Sequence, residues 1–354
     1  MFFWFILLAL SGWHKQLDSL LETTTQKRFN GVVLIAHQDS ILAYKQVQRL
    51  PNAQGMRPQS QFVIASLSKQ ITAALVLKAC EEGKLQLDTP LSDFFPHKKQ
   101  PFRQTITIHH LLSHTSGLNS TFKKGLRDPV GSKFRYENFN YILLGQILEK
   151  VYRKPYNKLV NAFFQQIGME RSFALLHIKT KKNQQKNPDL VWGYLDNKGQ
   201  LIGRQKLNPV SFNPTGGLVS TAQDLLIWNR FLHESEGLSA ESKQKMFTGY
   251  MERPGRLGNL RYGYGIHVSD SGNLQERYHA GFIKGYISSL FYYPQHQISL
   301  IILENYSGQD QAGTTYIVHD VVREWLRKQL IAPAIDSATG AAAGTEPIIS
   351  RFSK

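Results

Sequence analysis

Apolar positions along the chain fall into two periods. Across residues 14–27 they recur at helical spacing, with Leu17, Leu20 and Leu21 on one face. Asn30-Gly31 then leads into an apolar run over 32–36. His37-Gln38-Asp39-Ser40 reads as a turn and 41–44 as the returning strand, which predicts a β-hairpin. Residues 51–60 form a polar loop. Phe62-Val63-Ile64-Ala65 is a short apolar approach to a second turn. After it, residues 70–80 are apolar nearly all round and predict a buried helix, closed by Glu81, Glu82 and Gly83.

Residues 84 to about 200 read as mainly helical and rich in loops. A short helix is predicted over 107–114, and a longer amphipathic one carries Ile142, Leu143, Leu144, Ile147, Leu148 and Val151. Thr215-Gly216-Gly217 precedes a helix bearing Leu225, Leu226, Trp228 and Phe231, with Thr221 and Asp224 as a variant capping box. The paired glycines point to a tight backbone approach, and this stretch is assigned to structure. Three strands are expected at about 262–268, 286–293 and 298–304, with a turn at Pro294-Gln295-His296. A last helix over 311–330 shows Ile317, Val318, Val321, Val322, Trp325 and Leu326 on its apolar face. Residues 331–354, rich in Ala, Gly, Thr and Ser, are expected to form a disordered tail.

A chain of 354 residues can bury a large core and form two lobes. Its net charge is +16. Basic clusters at His97-Lys98-Lys99, Lys123-Lys124 and over 179–186 lack interleaved aromatics, so a solvated surface with weak attraction to an anionic envelope is expected. No nucleic-acid-binding motif is present. The single cysteine, Cys80, excludes an internal disulfide and lies on the buried helix as an inert core thiol. Residues 1–12 are apolar and too short to span a bilayer. They resemble the apolar core of a signal peptide, although no Lys or Arg precedes them; the other readings are a buried first segment of the fold or a misplaced start. Export to the periplasm or the exterior is the expectation, with membrane association through an uncleaved N-terminus as the alternative.

The chemistry centres on the turn before the buried helix. Ser66 stands where that helix begins and Lys69 lies one turn on, over the same face. A desolvated lysine can be neutral and take a proton from a hydroxyl, and a helix N-terminus suits an oxyanion formed at Ser66. Ser-x-x-Lys recurs at Ser120/Lys123 and Ser242/Lys245, but in polar, charged surroundings. Tyr136 and Asn138 stand at the entrance of the amphipathic helix. They read either as a surface aromatic and a helix cap, or as a proton shuttle whose pKa a lysine ammonium lowers and an amide that binds substrate. Glu137, between them, brings a negative charge to the site if its side chain turns inward. Arg277-Tyr278-His279-Ala280-Gly281-Phe282 supplies a third motif. His110 and His114 have the i, i+4 spacing of a zinc helix but lack its glutamate and a third ligand, so they are read as structural and no metal is expected.

Ser66-x-x-Lys69, Tyr136-x-Asn138 and His279-x-Gly281 in that order resemble the serine β-lactamase and penicillin-binding-protein superfamily, closest to its class C β-lactamase and D,D-peptidase-like branch. Family-like text also occurs at Glu82-Gly83-Lys84-Leu85, at Leu111-Leu112-Ser113-His114-Thr115-Ser116-Gly117-Leu118, and at Gly216-Gly217-Leu218 with Ser220-Thr221. The resemblance covers about residues 28–330. It implies an α/β (α+β) fold, an antiparallel sheet flanked by helices. The α/β lobe would comprise about 13–85 and 215–330, and a mainly helical lobe, about 86–214, would be inserted.

It also implies roles. Ser66 would be the nucleophile, Lys69 and Tyr136 the proton-transfer pair, and Asn138 the contact to a substrate amide. Gly281 and His279 would line the substrate, His279 standing where many relatives carry the lysine that meets a carboxylate. The backbone N–H groups of Ser66 and Phe282 would form the oxyanion hole. No cofactor is implied. A monomer acting on a small molecule or peptide, including cell-wall peptide, is expected.

Two function classes follow. One is a serine hydrolase that forms an acyl-enzyme with a D-amino-acid peptide, an ester or a β-lactam. The other is a non-catalytic penicillin-binding or sensor domain with the same pocket. No Gly-x-Ser-x-Gly elbow and no phosphate-binding loop compete with these. Histidine in the third motif reads a carboxylate only while protonated, so uncharged, esterase-type substrates are expected to be preferred at neutral pH.

Overall fold

The structure, a computed structural model, describes residues 2–23, 29–50, 55–97, 99–175, 187–197, 200–202, 210–255, 257–269, 274–308 and 315–331. The chain starts with helix α1 (Phe2–Thr23) and the hairpin β1 (Gly31–His37) and β2 (Ser40–Val47), followed by the short strand β3 (Phe62–Val63) and helix α2 (Ser68–Glu81). Helices α3 (Leu91–Phe94), α4 (Ile108–Leu112), α5 (Asn138–Tyr152) and α6 (Tyr156–Gln166) come next. Strands β4 (Phe173–Ala174), β5 (Tyr194–Asn197), β6 (Gln200–Ile202) and β7 (Leu218–Ser220) precede helices α7 (Ala222–His233) and α8 (Ala240–Phe247). The last section holds β8 (Met251–Gly255), β9 (Gly258–Tyr262), β10 (His267–Ser269), β11 (Glu276–Ile283), β12 (Tyr286–Tyr293), β13 (Ile298–Glu304), β14 (Tyr306–Gly308) and helix α9 (Ile317–Ile331).

An eight-stranded antiparallel sheet in the order β2-β1-β13-β12-β11-β10-β9-β8 is the frame. The period of two in its strands divides the core. Val33 and Ile35 of β1, with Leu300 and Ile302 of β13, face α1 and α9, where Leu17, Leu21, Val318, Val322 and Leu326 meet them. Val32, Leu34, Ile301 and Leu303 face the opposite way, into the larger core that holds α2, α5, α6 and α7. Helices on both faces explain why β12 and β13 are buried at every position.

The hairpin and strands β12 and β13 lie where the apolar pattern places them. Other expectations shift. Helix α1 begins earlier than residue 14, and residues 24–28 lie outside the described residues. The single strand expected over 262–268 is two. Tyr262 ends β9 and His267 begins β10, with a turn closed by Gly263 N–H to the Ile266 carbonyl (2.8 Å) and Gly265 at φ +71°. Strands β8 and β9 extend the sheet beyond expectation, and the third motif is itself strand β11. The inserted section carries strands β4, β5 and β6 besides its helices; β4 pairs with β7, and β5 with β14. The last helix starts at Ile317 and includes Ile331, one residue into the expected tail. Residues 332–354 lie outside the described residues, as do Lys98 and the basic stretch 179–186.

Candidate active site

Ser66 sits in a single 3₁₀ turn, Ala65–Leu67, that runs directly into α2. The turn requires Ala65 at φ +45°, a left-handed conformation that costs a residue with a Cβ about 1–3 kcal/mol. Its surroundings hold it there. Ile64 N–H donates to the Leu218 carbonyl (2.9 Å), and the Ile64 carbonyl accepts from Ser288 Oγ (2.7 Å). Strand β11 crosses the turn so closely that a Cβ on Gly281 would lie 2.7 Å from the Ile64 carbonyl oxygen and 2.8 Å from Ser66 N. Glycine alone fits there, and Phe282, next along, lines the cavity over Ser66. Beyond Tyr278, β11 pairs with β12 only, because β10 pairs with residues 276–278. The edge of β11 beside Ser66 is thus free of a neighbouring strand among the described residues.

Lys69 is fully buried, and burial holds its pKa well below the usual lysine value, with Glu137 pulling weakly the other way. Its Nζ has three polar neighbours: the Thr215 carbonyl at 2.7 Å, Asn138 Oδ1 at 2.9 Å and Ser66 Oγ at 3.2 Å. The first two can only accept. A neutral amine has two N–H donors and one lone pair, so with both donors engaged the lone pair faces the Ser66 hydroxyl. Asn138 Oδ1 also accepts from Thr215 Oγ1 (2.9 Å), and Asn138 lines the cavity, where its amide N–H groups meet no protein acceptor among the described residues.

The Tyr136 hydroxyl bonds to Ser66, and the Lys69 amine lies 4.7 Å from the Tyr136 ring centroid. The expected lowering of the Tyr136 pKa is corrected: burial raises it, against weaker lowering by the Ser66 bond and Arg253. Tyr136 is therefore a protonated phenol beside a neutral amine. The condition set for Glu137, an inward side chain, is not met. Its carboxylate caps α5 at Phe139 N–H (3.1 Å) and takes Ser120 N–H and Oγ, so it turns away from Ser66. His114 fixes the same loop by accepting Glu137 N–H at Nδ1 (3.2 Å). His110 bonds to Thr107 at the start of α4, and no group of three metal-ligand side chains occurs among the described residues.

His279 is placed in the cavity wall but not as an exposed cation. It is 2% exposed, donates Nδ1–H to the Ala280 carbonyl (2.7 Å) and accepts at Nε2 from the Tyr262 hydroxyl (3.1 Å). Burial is the main cause that pushes its pKa down to about 3. The reading of His279 as a protonated carboxylate contact is corrected on these grounds: both ring nitrogens are engaged and the ring is neutral.

Thr215, Tyr262, His267 and Arg253 escaped the sequence reading. Thr215 opens the Thr215-Gly216-Gly217 stretch, whose sequence reads as structural; its backbone carbonyl instead holds Lys69. It lies in a π turn, Asn213–Gly217, that packs on α2 and α5. Arg253 carried no local signal, because Met-Glu-Arg-Pro-Gly reads as a loop. Thr221 caps α7 as expected, but the Asp224 carboxylate bonds to Arg171 N–H and Ser172 Oγ, so the reciprocal half of the capping box is replaced.

A buried lysine and a tyrosine thus converge on one serine hydroxyl, with a β-strand edge beside it. The β-lactamase family model matches residues 17–323. The chain is 24% identical over 328 residues to Protein flp of Staphylococcus aureus (strain MRSA252), covering 83% of this chain and 63% of that protein, so it spans less than two thirds of that relative. Among solved structures, the octameric penicillin-binding protein homologue from Pyrococcus abyssi superposes with a TM-score of 0.74 at 26% identity, over 88% of this chain and 77% of that one. The D-amino acid amidase from Ochrobactrum anthropi SV3 complexed with D-phenylalanine gives 0.76 at 19% identity, over 89% and 98%. A class C β-lactamase mutant gives 0.70 at 17%, over 88% and 96%; these last two likenesses speak for the fold. The chain belongs to the β-lactamase family, whose members are serine hydrolases. The resemblance drawn from the three motifs holds.

Proposed function

We propose that this chain is a serine hydrolase that works through an acyl-enzyme on Ser66, with a D-amino-acid peptide, ester or β-lactam as substrate. The observation that supports this reading is the Lys69 amine, whose two donors are taken by acceptors and whose lone pair meets Ser66. Lys69 takes the Ser66 proton as Oγ attacks the substrate carbonyl. The tetrahedral oxyanion sits between the N–H groups of Ser66 and Phe282, and Asn138 holds the substrate amide. The proton passes by way of Tyr136 to the leaving nitrogen or oxygen, and the carbonyl–leaving-group bond breaks. Water then attacks the ester, with the same pair moving its proton, and Ser66 is released.

The D-amino acid amidase and penicillin-binding protein likenesses favour substrates of D configuration, such as cell-wall peptide. Action outside the cytoplasm, as an exported or membrane-associated monomer, accords with that substrate class. The test is incubation with a fluorophosphonate or a labelled penicillin, followed by mapping of the adduct by mass spectrometry. Label at Ser66, absent from Ser66→Ala, is expected. Label at Ser120 or Ser242, or no label with either probe, rejects the assignment.

A further inference from the structure

Tyr136 is flanked in the chain by two residues that are both tied to one neighbour, His114, just beyond α4. Arg135 N–H donates to the His114 carbonyl (2.8 Å), and Glu137 N–H donates to its Nδ1 (3.2 Å). His114 makes both bonds at φ +57°, a left-handed conformation that a Cβ disfavours. Helix α5 adds a third bond. Asn140 Nδ2 lies 3.2 Å from the same Nδ1, while Asn140 Oδ1 is taken by the Ser116 hydroxyl (2.8 Å), which turns the amide nitrogen toward the ring.

Two N–H donors on Nδ1 fix the tautomer, so the ring proton stands on Nε2. Burial keeps the ring neutral, with its pKa well below the ordinary value. His114 is 0% exposed, and its Nε2 bonds to no described residue. The ring packs on Tyr136 with centroids 4.5 Å apart, and on Tyr141 and Tyr262 at 5.2 Å each. A left-handed backbone and a buried N–H without an acceptor are each destabilising. An apolar side chain would avoid the second and glycine would avoid both. They coincide at the residue that brackets Tyr136, and His114 itself does not line the cavity over Ser66.

We propose that His114 is a positioning residue: through its carbonyl and Nδ1 it fixes the backbone on both sides of Tyr136 and so keeps the phenol on the Ser66 hydroxyl. It acts through Tyr136 and touches no substrate. Its effect on rate rests on the hydrolase reading; its effect on the place of Tyr136 does not.

The experiment has two arms. The first follows Ser66 labelling by a penicillin to saturation, which separates the limiting rate from the half-saturating concentration. In His114→Asn an oxygen can stand where Nδ1 stood, and asparagine tolerates a positive φ. In His114→Gln the amide lies one carbon farther out. The limiting rate is expected to fall about 10- to 100-fold in His114→Gln, with little change in half-saturation, and to return largely in His114→Asn. In a Tyr136→Phe background, His114→Gln should slow labelling hardly at all, because the group it positions is gone; a merely structural loss would recur there. The second arm needs no catalysis. Imidazole ¹⁵N spectra of the parent protein should show Nδ1 as a bare acceptor, and crystal structures of the parent and His114→Gln should show the Tyr136 hydroxyl displaced from Ser66 in the variant. The spectra decide the tautomer even if His114→Gln does not fold. A proton on Nδ1, a Tyr136 unmoved in His114→Gln, a His114→Asn no faster than His114→Gln, or an undiminished loss in the Tyr136→Phe background overturns the proposal. No label at Ser66 in the parent, with Tyr136 displaced in His114→Gln, upholds His114 and rejects the hydrolase reading.

Discussion

At the scale of single residues, burial decides the charge on Lys69. An ammonium could place its three protons on the Thr215 carbonyl, Asn138 Oδ1 and Ser66 Oγ, but full desolvation penalises it. In the proposed reaction the neutral amine is the base and the protonated Tyr136 the relay. Lys69→Ala and Tyr136→Phe are each expected to slow Ser66 acylation by about 10²–10⁴. The double variant should lose less than the product of the two, because both act on one proton. Rates measured by stopped-flow labelling check this, and a Tyr136→Phe rate equal to the parent's would make Tyr136 structural. Ser66, Lys69, Tyr136 and Asn138 were legible because each sits in a short motif at the start of a helix. Thr215 acts through its backbone carbonyl, which no side-chain pattern reveals, and Arg253 reaches the cavity only because an edge hairpin folds over it.

At the scale of elements, the strained turn at Ala65 links sequence to reactivity. Glycine adopts φ +45° without cost, so Ala65→Gly removes strain from the folded state while adding freedom to the unfolded chain. The two effects are of similar size, and stability should change by no more than about 1 kcal/mol. Acylation should nevertheless slow, by about tenfold, because the turn then holds Ser66 less rigidly. Thermal melts and labelling rates on the same protein separate these outcomes; an unchanged rate would mean that β11 and Leu218 position Ser66 without help from the strained residue. Strands β12 and β13 were readable as runs rich in aliphatic and aromatic residues, interrupted by Ser288, Ser289 and Ser299. The β9–β10 turn was not, because Tyr262, Tyr264 and Ile266 keep a strand-like alternation while Gly263 and Gly265 break the backbone path. Gly265 is also pressed against α2, where a Cβ would lie 2.7 Å from the Lys69 carbonyl oxygen.

At the scale of the whole molecule, packing disfavours the charged form of several histidines. Burial lowers the pKa of His114, His233 and His267 well below the ordinary value, and that of His279 to about 3. The sign follows from linkage. In the unfolded chain these rings titrate near the reference value of about 6.5, so below it the unfolded state binds protons that the folded state refuses. The stability tied to them is intact above about pH 6.5 and declines as pH falls toward the folded values. Each ring contributes a slope of up to roughly 1.4 kcal/mol per pH unit in that window. The paired carboxylates act lower; Asp128, held by Arg135 and Lys133 at about 2, still counts as charged there. Melting temperature is expected to be level from pH 8 to about 7 and to fall steeply below 6. A level profile down to pH 5 would show that these rings accept protons in the folded protein, and His233→Gln should reduce the slope if they do not. The order of the motifs could be read from the chain. The packing that strips these imidazoles of water could not, because it is assembled from strands far apart in sequence.

Helices α1 and α9 lie side by side on the same face of the sheet, and there Trp13 meets Trp325 edge to face, with ring centroids 5.8 Å apart and planes at 75°. Trp325 Nε1–H also reaches Gln16 Oε1 at 3.2 Å. Two indoles at that distance exchange excitation, so the pair gives the native protein a coupled signal in circular dichroism that neither ring has alone. The pair involves neither Ser66 nor its cavity, and its α1 partner sits next to Leu17 and Leu21, which anchor the helix. Removing residues 1–12 would leave those anchors and the signal in place, whereas removing residues 1–23 would abolish it. The indole pair is thus a built-in optical reporter of whether the first helix is docked, readable without labels and independent of catalysis.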